Sequence, residues 1–340
     1  MQDFSPIIAA FTAFLITYFV GKPLIPFLKR LRCRQEIREE GPKWHKAKEG
    51  TPTMGGIMMI IGFIAAIIIS IMVSVLSGHY VSGELKNPLE LSIFISGIIL
   101  GLGMAAVGFI DDYIKVVKKR NLGLTAWQKT LLQMIVSAAF LLSLALGGMH
   151  TTYIPFIGDI NIMSGFGIIF WPIALMFVYG FVNAVNLTDG IDGLASSVTL
   201  VAVCGIMFVS TVTASHFLNN LGCCALAGAC LGFIMWNAHP AKVFMGDTGS
   251  LFLGGMVTAF AFGTGKPILL LLFGLVYLCE ALSVVLQVFS FKVFHKRIFK
   301  MSPIHHHFEM SGWKENKIVF VFSSVTFITS AIAVLLAKLY

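Results

Sequence analysis

Charged side chains are scarce in this chain: Asp, Glu, Lys and Arg together make up 12% of its 340 residues. A soluble protein of this length needs a far larger polar surface to cover its core, and with 57% hydrophobic residues and a mean hydropathy of +0.88 one soluble core is excluded. Cysteine is also sparse. Of six, Cys204, Cys223, Cys224, Cys230 and Cys279 fall in apolar runs and Cys33 between runs, which suggests neither a disulfide framework nor a zinc-binding spacing. The N-terminus lacks a basic segment and a small-residue cleavage site. Acidic Asp3 precedes the first apolar run, which therefore reads as a retained helix rather than a leader.

What is present is a series of apolar runs of spanning length, at about 20 residues per crossing. They fall at 5–28, 54–77, 91–110, 128–147, 166–182, 193–213, 218–236, 249–263, 268–291 and 318–339. The expectation is an all-α polytopic membrane protein of ten helices, forming one domain over residues 1–340. A small hairpin is expected at 150–162, HTTYIPFIGDINI, around its Gly-Asp pair.

The net charge of +8 points to the bilayer and not to nucleic acid, because the basic residues sort by loop. Lys29, Arg30, Arg32, Arg34, Arg38, Lys43, Lys46 and Lys48 lie in the first, Lys115, Lys118, Lys119, Arg120 and Lys129 in the third, and Lys292, Lys296, Arg297, Lys300, Lys314 and Lys317 in the ninth. The even loops hold only Lys86 and Lys266. The positive-inside rule then places odd loops in the cytoplasm and both termini outside.

Five polar motifs interrupt the apolar pattern. NAVNLTDGIDG, 183–193, sets two amides and two carboxylates, Asp189 and Asp192, three residues apart on neighbouring helical turns. KEGTPTMGG, 48–56, holds Lys48 and Thr53; Thr53 is either an ordinary helix cap or, with the lysines, part of an anion site at a helix N-terminus. Asp111 and Asp112 end the third run, facing the negative end of a helix dipole, so they require neutralisation by Lys115, Lys118 and Lys119, a divalent metal or a ligand. WNAHPAKVFMGDTGS, 236–250, contains Asn237, Lys242, Phe244 and Asp247, with Asp247 or Thr248 also able to cap the eighth helix. SPIHHHFE, 302–309, offers His305, His306 and His307 about 100° apart on a helix, poorly placed to share one metal but suited to donating to phosphate oxygens. Glu280 reads as buried and partnered, and Gln287 as a packing residue or a ligand contact.

Asp111 and Asp112, Asp189 and Asp192, Asp247, and the three histidines come from loops three, five, seven and nine, all on one face by the charge rule. Acids for a hard cation, cations for anions and glycines for close approach describe a magnesium-dependent diphosphate site on a membrane framework. A secondary transporter, the rival class, would carry midplane acids and an internal repeat; the acids here cluster at one face and no repeat is evident.

TPTMGG, DDYIK, NAVNLTDGIDGLA, FMGDTGS and PIHHHFE together resemble the phospho-N-acetylmuramoyl-pentapeptide-transferase family of the polyprenyl-phosphate N-acetylhexosamine-1-phosphate transferase superfamily. PIHHHFE resembles its muramoyl-peptide branch; relatives that transfer N-acetylglucosamine phosphate differ there and form the alternative. The resemblance implies transfer from UDP-N-acetylmuramoyl-pentapeptide to undecaprenyl phosphate, giving lipid I and UMP, by a multi-pass enzyme of the bacterial plasma membrane that acts on the cytoplasmic face, with Mg2+ as cofactor and often as a homodimer. It implies Asp247 as magnesium ligand, and Asp111 and Asp112 as catalytic residues near the lipid phosphate, with Asp112 a candidate base. Lys48, Thr53, Asn186, Asp189, Asn237, Phe244 and Gln287 would form the nucleoside and diphosphate pocket, with Asp192 at its edge, and Lys129, His305, His306 and His307 further substrate contacts.

Overall fold

The computed structural model describes residues 4–31, 48, 50–77, 88–118, 122–154, 156–213 and 217–339. Asp3, Arg32, Cys33, Arg34, Arg38, Lys43, Lys46, Lys86, Lys119 and Arg120 lie outside the described residues. All ten predicted runs fall on helices: α1 (Ser5–Arg30), α2 (Gly56–Leu76), α3 (Pro88–Lys118), α4 (Ala126–Leu146), α5 (Phe170–Thr188), α6 (Leu194–Thr213), α7 (Phe217–Asn237), α8 (Gly246–Phe262), α10 (Leu275–Phe294) and α12 (Glu315–Leu339). Two short helices, α9 (Leu270–Phe273) and α11 (Ile304–Glu309), complete the set. Among the described residues, nine of the long helices are apolar and long enough to cross a bilayer.

The exception is α8. It has 17 residues, and every one from Thr248 to Phe262 is buried, so it is a central helix sheathed by the others rather than a lipid-facing span. Small residues make this possible. Along α3, Gly97 lies against Ala259, Gly101 against Met256 and Gly255, and a β-carbon at Gly108 would collide with the carbonyl of Asp247. On the opposite side Gly56 of α2 meets Gly249 of α8 backbone to backbone. Lipid tails offer no hydrophobic drive for helices to associate, so close contact of this kind supplies the dispersion energy that does.

The ninth predicted run is broken. Gly274 separates α9 from α10, and a β-carbon there would strike the ring of Phe181 on α5. The third run extends to Lys118, two turns past its predicted end, so Asp111 and Asp112 sit within α3 and not at its C-terminus. The hairpin pairs β1 (Thr151–Ile154) with β2 (Gly158–Asn161). Gly158 and Asp159 belong to β2, opposite Ile154 and Tyr153, and the turn forms around Phe156, which takes φ 70°. At this end of the bundle Lys266 lies 4.3 Å from the centre of the Tyr153 ring and donates to the Ala337 carbonyl near the end of α12. The start of α1 and the end of α12 lie at this end, and the polar motifs gather at the other.

Gly108→Val should lower stability by about 1–3 kcal/mol, the cost of overpacking a tight contact. Gly180→Ala, where nothing lies within 4 Å of the added carbon, should stay within about 0.5 kcal/mol, as surface substitutions do. Thermal unfolding in detergent separates the two.

Candidate active site

α8 begins without a side chain of its own to cap it: Met245 occupies the cap position and makes no side-chain bond. Neither Asp247 nor Thr248 fills the role expected from the sequence. Asp112, reaching across from α3, does so instead. Its Oδ2 accepts from the Thr248 backbone N–H at 2.9 Å and the Thr248 hydroxyl at 2.7 Å, and its Oδ1 accepts from the Asp247 N–H at 3.2 Å. A buried helix start has orphan N–H groups that need acceptors, and its positive end suits a carboxylate. The neutralising partner of Asp112 is thus mainly α8, because α3 runs on past it.

Asp111, as buried as Asp112 at 3% exposure, turns the other way. Its Oδ1 accepts from the Leu124 N–H at 2.8 Å and its Oδ2 pairs with Lys115 at 2.6 Å. Asp247, half-buried in the first turn of α8, receives Lys129 at 2.7 Å and Lys115 at 2.9 Å on Oδ2, and the Asn186 amide at 2.9 Å on Oδ1. The same amide donates to Ser250. Three carboxylates and two ammonium groups leave one net negative charge.

Asp111, Asp112 and Asp247 each bring an oxygen within 4.8 Å of the others. Three hard oxygen donors with net negative charge fit a divalent cation such as magnesium, which would compete with the lysines for Asp247. All three carboxylates have both oxygens engaged, but Asp112 is held by the first turn of α8, whereas the donors on Asp247 are side chains of Lys115, Lys129 and Asn186, which can swing aside.

The TPTMGG strap forms the wall beside these acids. Phe244 N–H donates to the Pro52 carbonyl at 2.8 Å, Gly55 N–H to the Phe244 carbonyl at 2.8 Å and Gly56 N–H to the Met245 carbonyl at 3.0 Å. The N-cap of α2 is Gly55, so Thr53 does not cap it. Thr53 lines the turn at Gly246 instead; there φ is +71°, and a β-carbon would lie 2.6 Å from Asp112 Oδ2 and 2.7 Å from Thr53 Oγ1.

NAVNLTDGIDG joins the acids to everything else. Asn186 holds Asp247, and Gly193 N–H donates to Asn237 Oδ1 at 3.0 Å while the Asn237 amide donates to the Val243 carbonyl. Asp192 is paired with Lys48 at 2.8 Å and accepts from Ala241 N–H. Gly190 lies against the His305 ring, leaving no room for a β-carbon. Asp189 differs from all of these: among the described residues no cation pairs with it. Burial, then the charges of Asp247, Asp112 and Asp192, hold its carboxyl well above the ordinary carboxylate range.

The remaining motif residues are tied locally. His305 is buried with Nδ1 3.0 Å from Glu280, itself fully buried; His306 Nδ1 is 2.6 Å from Glu309; His307 Nδ1 accepts from the Lys300 N–H. The triple histidine is therefore not a single cluster pooled around one anion. Gln287 accepts from the N–H groups of Ile298 and Phe299 and donates to the Phe299 carbonyl, which pins the chain after α10. Ser250, which receives the Asn186 amide, carries no sequence signal of its own, and Lys115, legible in the sequence only as a counter-ion for Asp111 and Asp112, also reaches Asp247.

Residues 92–264 match glycosyl transferase family 4. The chain is 42% identical over 331 residues to the phospho-N-acetylmuramoyl-pentapeptide-transferase of Heliobacterium modesticaldum, covering 97% of each. It is 44% identical to the enzyme of that name from Halalkalibacterium halodurans, over 95% of each. To that of Clostridium perfringens it is 45% identical, over 98% of this chain and 99% of the relative.

Asp247→Asn should weaken Mn2+ binding, read by calorimetry or electron paramagnetic resonance, by about tenfold or more, as expected when one anionic ligand of a hard cation is lost. Asp192→Asn should leave it unchanged.

Proposed function

Since the chain belongs to the phospho-N-acetylmuramoyl-pentapeptide-transferases, within glycosyl transferase family 4, we propose that it moves phospho-N-acetylmuramoyl-pentapeptide from its UDP carrier to undecaprenyl phosphate, forming lipid I and releasing UMP. The observation that carries the mechanism is the position of Asp247: an anionic ligand at the start of a buried helix, beside two buried acids and two lysines, at one end of a bundle of membrane-spanning helices. That end faces the cytoplasm in this reading, supported by the basic loops that share it, and leaves both termini outside. The enzyme is a multi-pass protein of the bacterial plasma membrane and works as a homodimer.

Asp247, with Asp111 and Asp112 behind it, would hold magnesium, which when bound supplies positive charge to screen the diphosphate. Lys115 and Lys129, released from Asp247, would turn their ammonium groups to the phosphate oxygens. Asp189, Asn186 and Lys48 would receive the nucleotide, together with Thr53, Phe244 and Asn237 lining the strap and loop, and Asp192 at the edge. Gln287 and the three histidines would shape the outer rim, where His305 reaches Gly190.

A phosphate monoester has a second pKa near ~6, so the lipid phosphate is largely dianionic at neutral pH and needs no strong base. One of its oxygens attacks the sugar-proximal phosphorus, the bond to the bridging oxygen breaks, and UMP leaves with that oxygen. Positioning and electrostatics dominate such transfers. The three hydrogen bonds that Asp112 accepts from α8 occupy both its oxygens, which favours direct attack over a phospho-aspartyl intermediate on that residue.

Purified protein should release UMP from UDP-N-acetylmuramoyl-pentapeptide only with lipid phosphate and magnesium present, and Asp247→Ala should lose activity by about a thousandfold or more, as when a major electrostatic element of a site is removed. Magnesium-independent release, or Asp247→Ala matching the parent, would overturn the reading. A sugar-phosphoryl adduct trapped on Asp112 or Asp247 would replace direct attack with a covalent route.

Asp189 gives a pH test. Its raised carboxyl becomes neutral as pH falls through a value above the usual carboxylate range, so kcat/KM for the UDP substrate should drop on that acid limb. Asp189→Asn should raise KM, flatten the limb and leave Mn2+ binding intact.

A further inference from the structure

Glu315 opens α12, where an acid in the first turn is ordinary helix chemistry. Here it is committed elsewhere. Its Oε2 accepts from Lys48 Nζ at 2.8 Å and from the backbone N–H of Asp192 at 3.0 Å. Its Oε1 lies 3.6 Å from His239 Nδ1, and that nitrogen is also 3.0 Å from Asp192 Oδ2. The Lys48 ammonium thus stands between two carboxylates, Asp192 and Glu315, at 2.8 Å from each.

The arrangement joins four separate parts of the chain: the strap before α2, the DGIDG turn, the loop after α7 and the start of α12. Asp192, His239 and Glu315 could together hold a metal, but the cation between the two carboxylates is Lys48 itself. Lysine has a flexible four-carbon stem and three N–H bonds. With two of those bonds fixed by Glu315 and Asp192, tetrahedral geometry sets the third, so Glu315 determines where Lys48 points. It also holds the backbone of Asp192, three residues after Asp189.

Removal of the Glu315 charge leaves Lys48 still paired with Asp192 and the trio of side chains electrically neutral. The loss is therefore one of direction and of one turn anchor, not an uncompensated buried charge. We propose that Glu315 is a positioning residue for the nucleotide substrate, aiming Lys48 and fixing the DGIDG turn, and that it acts on the UDP substrate and not on the lipid phosphate or the transfer step. This rests on the function proposed above.

The test uses the full-length protein with Glu315→Gln, Glu315→Asp and Glu315→Ala. Calorimetric affinity for UDP-N-acetylmuramoyl-pentapeptide, measured without lipid phosphate, should fall about tenfold in Glu315→Gln, the effect of losing charged hydrogen bonds that orient a ligand group. In turnover, KM for that substrate should rise in parallel while kcat and KM for undecaprenyl phosphate hold, and Glu315→Asp should recover part of the loss. Unchanged nucleotide affinity in Glu315→Gln overturns the proposal. So does a fall in kcat with both KM values unchanged, or a loss that tracks a lowered unfolding temperature across all three variants without recovery in Glu315→Asp. Should the parent bind the UDP substrate but release no UMP, the transfer reading falls while the binding comparison still decides the role of Glu315.

Discussion

One carboxylate, Asp112 on α3, holds the first turn of α8, and the site is arranged around that contact. A helix that begins inside a protein cannot satisfy its first N–H groups with water, and each orphan would be costly. Asp112 resolves this from a neighbouring helix, and in doing so ties the depth of α8 to that of α3. The glycines along the seam are the complement of that bond. Without Gly101, Gly108 and Gly255 the two backbones could not come close enough for a side chain as short as aspartate to reach. Asp247 then follows as the neighbour of a fixed turn, so its carboxylate faces Lys115 and Lys129 with little freedom to move.

The electrostatics divide the end of the bundle into two ion-paired groups, each with one more carboxylate than ammonium, and Asp189 lies between them. Asp111, Asp112 and Asp247 share two lysines; Asp192 and Glu315 share Lys48. Asp189 lies in the field of both groups, and among the described residues no cation offsets its charge. A position of that kind is unfavourable in the absence of a partner, and it is where an incoming donor gains most. Around the DGIDG turn, Asn186, Asp192 and Gly193 are all bonded, while among the described residues no cation pairs with Asp189.

The spans were legible because bilayer length and composition leave few alternatives, and the gathering of the acids was legible from charge bias among the loops. What could not be read were roles that depend on a partner distant in sequence. Thr53 and Asp247 carry ordinary capping signatures, yet α2 is bonded at its start by a backbone strap and α8 by Asp112, because tertiary partners displaced the local ones. The end of α3 was placed early since Asp111 and Asp112 break the apolar pattern; charge inside a helix is tolerated where another helix supplies the counter-field. Gln287 shows the opposite case, a polar residue in an apolar run whose packing role, pinning Ile298 and Phe299, is visible only from the loop it folds back upon. The hairpin lies where it is expected, but its turn forms at Phe156, ahead of the Gly-Asp pair, because Gly158 and Asp159 pair with Ile154 and Tyr153 as the start of β2.

The sheathing of α8 also sets the relation between the site and its solvent. Membranes differ in thickness, and helices that touch lipid tilt or shift to match. α8 has no residue beyond its first turn that lipid can reach. Its length is thereby uncoupled from the bilayer, and the height of Asp247 is measured from α2 and α3 rather than from the surrounding acyl chains. Composition of the membrane can change the slope of the outer helices while the distances among the reacting groups stay those of the protein interior.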